Sequence, residues 1–184
     1  MSPEKGKVLI SEPFLQNAFF QRSVILLVES NSAGSMGFVL NKQTNFLLND
    51  FFPEILHLPE IPIYLGGPVQ SNHLFFIQTL GDDLIPNGVN VFGNLYFDGD
   101  FNALIHYMVS GGQIHGKIKF FIGYSGWSSE QLNEEIDLDS WLVTNSSVKN
   151  IMMLDGDEFW NQAVDSFGNQ YSLWKNYPKN PDLN

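Results

Sequence analysis

Apolar positions along this 184-residue chain recur with two periods, and the changes from one to the other mark its elements. Residues 23–29 (SVILLVE) form an unbroken run of β-branched residues and leucine, the pattern of a strand covered on both faces. A polar turn, SNSAGS, separates it from a second apolar run at 36–41 (MGFVLN), which predicts an antiparallel hairpin. Further strands are expected at 7–11, 61–65, 73–80 and 140–144, and at 89–97 with Gly93 interrupting the run. In 117–123 (KIKFFIG) alternation puts Lys117 and Lys119 toward water and Ile118 and Phe120 inward.

The period lengthens at 101–110, where Phe101, Leu104, Ile105 and Met108 make a helical stripe. Asp100 is placed to cap this helix and Gly111-Gly112 to end it. A second helix is expected at 129–136. A third, at about 158–167, has Trp160, Ala163, Val164 and Phe167 on one face, Asp157 as cap and Gly168 as stop. Residues 44–52 are a further short helix candidate halted by Pro53. Residues 53–62 hold three prolines and read as irregular, and 177–184 read as a frayed tail. The expectation is one α+β domain over 1–184, with a mixed, mostly antiparallel sheet and about three short helices. The βαβ alternation of a dinucleotide-binding fold is missing.

Charge narrows the function classes. Nine basic residues stand against 20 acidic ones, for a net charge of −11. Arg22 is the only arginine and the lysines are scattered, whereas nucleic-acid binders cluster cations to displace counterions from phosphates. Direct DNA or RNA contact is not expected, nor is binding to anionic membranes. The longest apolar run, 24–28, falls far short of the ~20 residues of a bilayer helix. Cysteine is absent and the first residues lack the apolar stretch of a secretion signal, so a soluble, cytoplasmic protein is expected.

The candidate chemistry gathers in residues 120–136, FFIGYSGWSSEQLNEEI. Gly123-Tyr124-Ser125-Gly126-Trp127 invites comparison with the nucleophile elbow G-x-S-x-G, but its second glycine falls one place early. No sequence signal places His57, His73, His106 or His115 beside Ser125, so the bland reading is a strand-to-helix turn whose glycines admit a close backbone approach. Ser128 and Gln131 match a capping box, while Trp127, Gln131 and Glu135 share one helix face. Gln131 is thus a cap or a presented amide, and Glu135 is solvated or partners a buried cation. Asp98-Gly99-Asp100 and Asp155-Gly156-Asp157-Glu158 precede helices and fit caps better than the EF-hand spacing of a Ca²⁺ site. Gly66-Gly67-Pro68 is a tight turn or a set of backbone donors for an anion. Arg22 is either a structural cation paired with an acid such as Glu29 or Glu135, or an anion-binding fork. No catalytic residue, cofactor or metal site is assigned.

Six blocks, GKVLISEPFL, FQRSVILLVE, GSMGFVLNK, YLGGPV, FFIGYSGWSSEQLNEEI and SWL, resemble the AlgH/YqgE family in its order across nearly the whole chain. The resemblance implies an α+β fold whose sheet curls into a barrel-like core, a cytoplasmic location and no established enzymatic activity. It also brings a transcriptional-regulator label inherited from a member linked to alginate control. The family's characteristic residues fall on Arg22, Asn41, Gly66, Gly67, Pro68, Gly123, Tyr124, Gly126, Trp127, Gln131, Leu132, Glu135 and Trp141. Ser125 stands where the family often has alanine, Ser30 where it often has histidine, and Gln43 where it often has proline. With an acidic surface, the label points to indirect regulation, through a protein partner or a small ligand. The alternative is a sensor or enzyme binding a small, anionic or nucleotide-like ligand near Arg22, Tyr124, Trp127 and Gln131, with Asn41 and Gly66-Gly67-Pro68 converging on the same edge.

Overall fold

The run starting at Val24 organises half of the molecule. In the computed structural model, which describes residues 1–15 and 17–178, it becomes strand β2 (Val24–Asn31). β2 lies between β1 (Val8–Ser11) and β3 (Gly34–Val39), antiparallel to both, and the β2–β3 pair is the hairpin that the pattern predicts. Its alternate side chains enter different cores. Val24, Leu26 and Val28 join one cluster, and Ile25 and Leu27 join another on the opposite face. Two-sided burial is why the run lacks polar positions.

Seven more strands complete the frame. β4 (Gln43–Leu47) pairs with β5 (Pro62–Leu65), and β6 (Val69–Gln78) pairs with β8 (Leu95–Phe97), which forms a hairpin with β7 (Val89–Phe92). β9 (Ile118–Ser128) is the longest strand, and β10 (Trp141–Thr144) pairs with β1. The sheet runs β10, β1, β2, β3, β9, β6, β8, β7, with β4 and β5 branching from β9. β9 has three partners: β5 in parallel at Phe120–Ile122, β6 antiparallel along Ile118–Tyr124, and β3 antiparallel at Ser125–Ser128.

The barrel-like core implied by the family resemblance is not what forms. The path ends at β10 and β7, which do not pair with each other, so the sheet is open and not strongly curled. The physical reason lies in the packing. Instead of closing around one lumen, the sheet faces three separate clusters, each roofed by its own helices or turns. α1 (Phe101–Val109) and the 3-10 turns at Leu48–Asp50 and Pro53–Ile55 cover the second cluster, where Leu104 and Met108 meet Phe76 and Phe120. α2 (Gln131–Asp137) covers the third, and α3 (Val148–Met153) and α4 (Gly156–Asp165) cover the first.

The described residues thus hold four α-helices rather than three. The sequence pattern passes over α3, which is only six residues long and starts at the Ser147 cap. Residues 44–52, expected to be helical, are mostly β4 and a 3-10 turn, because pairing with β5 overrides a weak helical period. Asp100 caps α1 as predicted, accepting from the Ala103 amide at 2.9 Å. α4 starts earlier than its pattern suggests, with Asp155 rather than Asp157 at the cap. The tail expected to fray at 177–184 lies outside the described residues from 179 onward.

Candidate functional site

The glycines of 123–126 do not turn a strand into a helix. They bend a strand that continues to Ser128, with Gly123 in the left-handed region at φ +67°. That bend lets β9 leave its place between β5 and β6 and run on beside β3. Gly66 and Gly67 pack backbone to backbone against it. A Cβ on Gly67 would overlap the Tyr124 carbonyl group, and one on Gly66 would overlap the Gly123 oxygen. The Gly66 amide donates to Ile122 O at 2.9 Å, and its carbonyl accepts from the Val39 amide and from Ser125 Oγ. Ser125 is fully buried, with its hydroxyl on that carbonyl at 3.1 Å. The Gly66-Gly67-Pro68 turn and the 123–126 bend are therefore two halves of one seam.

Arg22 and Asn41 come together beneath a pocket of about 300 Å³ that Gln21, Lys42 and Asp157 also line. Arg22 has left-handed backbone at φ +50°, and Asn41 pins it there. The buried Asn41 amide donates to Arg22 O at 2.9 Å and to Gly156 O at 3.0 Å, while its Oδ1 accepts from the Val24 amide. The Arg22 guanidinium donates to Tyr177 O at 2.6 Å, lies over the Trp160 ring at 5.1 Å and stands 3.9 Å from Asp157. Its acid is thus Asp157, not Glu29 or Glu135. Lys42 donates to Phe19 O from the same pocket. Two of the chain's nine basic residues and one carboxylate thus line this pocket.

Trp127, Gln131 and Glu135 form a second group. One Glu135 oxygen accepts from the indoles of Trp127 (2.9 Å) and Trp141 (2.7 Å), and the other from the Gln131 amide at 2.9 Å. Glu135 is therefore held by three side-chain donors, and among the described residues it forms no ion pair. Gln131 Oε1 also accepts from the Ser128 amide at 3.2 Å, but the expected Ser128–Gln131 capping box does not form: Ser128 ends β9, and α2 starts after Glu130 without a side-chain cap. Leu132 is buried in the cluster beneath them. Tyr124 packs edge-on against Phe75, and with Gly126 and Trp127 it lines a surface groove that shares no residue with the Arg22 pocket. The residues expected to converge on one edge therefore divide among a seam, a pocket and a groove.

The largest surprise is Lys119. Alternation turns it to water, yet it is 4% exposed, because both faces of β9 are packed: Phe121 enters the first cluster, Ile118 and Phe120 enter the second, and the end of α3 lies over the Lys119 ammonium. Nζ donates to Leu154 O at 3.1 Å and Ile151 O at 3.3 Å, capping the end of α3, and sits 4.3 Å from the Tyr64 ring centre. The Tyr64 hydroxyl donates to Asp155 at 3.1 Å. Burial holds the Lys119 ammonium down to about 8, opposed by the charge of Asp155. Burial, then the adjacent Asp155 charge and hydrogen bond, pushes the Tyr64 phenol well above its ordinary range. The sequence signal was available: Lys119 is flanked by Ile118 and the run Phe120-Phe121-Ile122.

The lowered value sets the sign of a pH effect. Between about pH 8 and 10.5 the unfolded lysine holds more protons than the folded one, so this group's penalty is full below 8 and lifts as pH rises. Its size is roughly 3 kcal/mol. Urea unfolding of the wild type and Lys119→Met across pH 7–10.5 should show the wild type gaining on the variant. A constant gap would mean the ammonium is not desolvated.

Among the described residues no three His, Asp or Glu side chains are grouped to hold a metal ion. No described helix is long and apolar enough to cross a membrane.

The AlgH-like family model, a domain of unknown function, matches residues 8–172. A protein named "UPF0301 protein" from Parabacteroides distasonis is 55% identical over 182 residues, covering 99% of this chain and 92% of its own. A namesake from Bacteroides thetaiotaomicron is 41% identical over the same shares. The solution structure of the AlgH protein from Pseudomonas aeruginosa matches with a TM-score of 0.72 at 26% identity, covering 97% of both chains. The crystal structure of protein DIP2367 from Corynebacterium diphtheriae, at 20% identity, shares the fold with a TM-score of 0.79 over 96% of this chain and 94% of its own.

Proposed function

Because this chain belongs to the AlgH-like family, we propose that it is a cytoplasmic regulatory module of indirect action, one that takes up a small anionic ligand at the Arg22 pocket and does not touch nucleic acid. The observation that carries this reading is that Arg22 and Lys42 line one pocket together with the buried Asn41, in a molecule of net charge −11. Such a molecule repels polyphosphate at long range but can accept one compact anion where its cations are concentrated. Arg22 has the planar fork that suits phosphate or carboxylate oxygens, and its Asp157 contact, at 3.9 Å, is long enough to yield to a ligand. The Asn41 bonds fix the backbone of Arg22 and so position the fork.

Thermal unfolding with pyrophosphate, inorganic phosphate and citrate tests this. A ligand that binds only the folded state at a hundredfold excess over its Kd raises the midpoint by about 5–10 °C. The shift should vanish in Arg22→Met and persist in Tyr124→Ala. No shift or binding heat with any of the three anions, or an equal shift in Arg22→Met, sinks the reading, as does duplex DNA binding at moderate salt.

A second reading, an adaptor for a basic protein partner, draws support from Glu130, Glu134, Asp137 and Asp139, all exposed on and around α2. It predicts that neutralising these four abolishes partner capture while leaving anion binding intact.

A further inference from the structure

Away from the Arg22 pocket, and sharing none of its residues, a cavity of about 440 Å³ opens between β5, β9, α3 and the 110–117 loop. Its size falls within the range of small-molecule sites, roughly 300–1,000 Å³. Ile61, Met108, Ile118 and Met152 line it and are buried, and Met153 stands at its mouth. Methionine walls adapt to hydrocarbon of irregular shape. Lys119 lies in this lining with Tyr64.

The chemistry of Lys119 is incomplete in one respect. Its ammonium has two carbonyl acceptors and an aromatic face, but among the described residues no carboxylate pairs with it directly. Asp155 is held one phenol away by Tyr64. A buried cation without a direct counter-ion is costly, and a carboxylate brought in by a ligand supplies one.

We propose that this cavity binds a small amphipathic monocarboxylate, with its hydrocarbon body against the methionine walls and its carboxylate on Lys119. A single ammonium matches a single negative charge. A polyanion would leave charge unpaired beside Glu60, which also lines the cavity. An uncharged hydrocarbon would gain the walls but forgo the cation.

Four titratable groups face or line the site besides Lys119: Tyr64 from β5, Asp155 through the Tyr64 hydroxyl, and Glu60 and His115 from the loops. Of these, Lys119 sets the alkaline limit, because burial holds it at about 8 in the free protein. Above that value the amine is neutral and the carboxylate loses its partner, so affinity declines as pH rises.

Three of the chain's five methionines, Met108, Met152 and Met153, line the cavity, which gives a local probe. With ¹³C-methyl methionine in the full chain, octanoate at pH 7 should shift these three signals and leave Met36 in place. Octanol should shift the same signals with an affinity about tenfold lower, the worth of one charge-assisted contact. That preference should disappear at pH 9.5 and in Lys119→Met. The wild-type methyl titration stands even if the variant folds poorly. Equal affinity for octanoate and octanol at pH 7, no movement of the three methyls at millimolar octanoate, or an unchanged preference in folded Lys119→Met would each overturn the proposal.

Discussion

Replacing Gly67 with alanine should remove the native state altogether. The added methyl would lie inside the Tyr124 carbonyl group and against the Ser125 amide nitrogen, both backbone, so no side chain can swing aside. The Gly67 segment cannot retreat either. Gly66 next to it is tied to Ile122, Val39 and Ser125 by hydrogen bonds, and a retreat would break the registry of β9 with its neighbours. Overlap of this kind belongs with the exceptional destabilisations, above about 4 kcal/mol, a large part of what a domain has. Far-UV circular dichroism and urea unfolding of Gly67→Ala check it. Gly93→Ala is the control: its Cβ meets open space and the only strain is φ +53°, worth about 1 kcal/mol. A cooperative Gly67→Ala transition within about 1 kcal/mol of wild type would mean the seam is loose.

Trp160→Ala should cost about 4 kcal/mol, near the middle of the range for losing a buried aromatic ring. Trp160 is fully buried on α4, and its indole donates to Ser11 O at 3.0 Å across 149 residues of chain. The same ring lies under Arg22. Truncation therefore opens a cavity, strands a buried carbonyl and removes one support of the guanidinium. Trp160→Phe separates these effects, since it keeps most of the volume but loses the donor, at about 1–2 kcal/mol. Denaturant midpoints for the pair measure both. Equal losses for the two variants would assign the whole effect to the hydrogen bond and contradict the packing account.

What could be read from the sequence follows the range of the interactions involved. β2 and its hairpin with β3, the α1 stripe and the Asp100 cap depend on neighbours within a few positions, and those patterns were legible. The shape of the sheet was not. An open path rather than a barrel depends on which strands become edges, and neither β7 nor β10 carries a local mark of that. The 123–126 glycines announced a close approach, but not that it bends one strand between two sets of partners. Lys119 was misplaced because alternation assumes one wet face, and β9 has none along Ile118–Phe121. Arg22 and Asn41 were legible as polar residues at element ends. The acid beside Arg22, Asp157, lies more than a hundred positions away and was read as a helix cap.

The three-way pairing of β9 also bears on the order of events at the ribosome. β3, β5 and β6 all precede residue 118 in the chain, and each hydrogen-bonds to β9. Until that late segment has left the exit tunnel, β3, β5 and β6 can pair with β2, β4 and β8, but each keeps one edge bare. At a synthesis rate of about 5–20 residues per second, the wait between the emergence of β3 and of β9 is roughly 4–18 seconds. The nascent chain is therefore a natural client for chaperones that shield unpaired strands, and a stalled product ending before residue 118 should aggregate rather than fold.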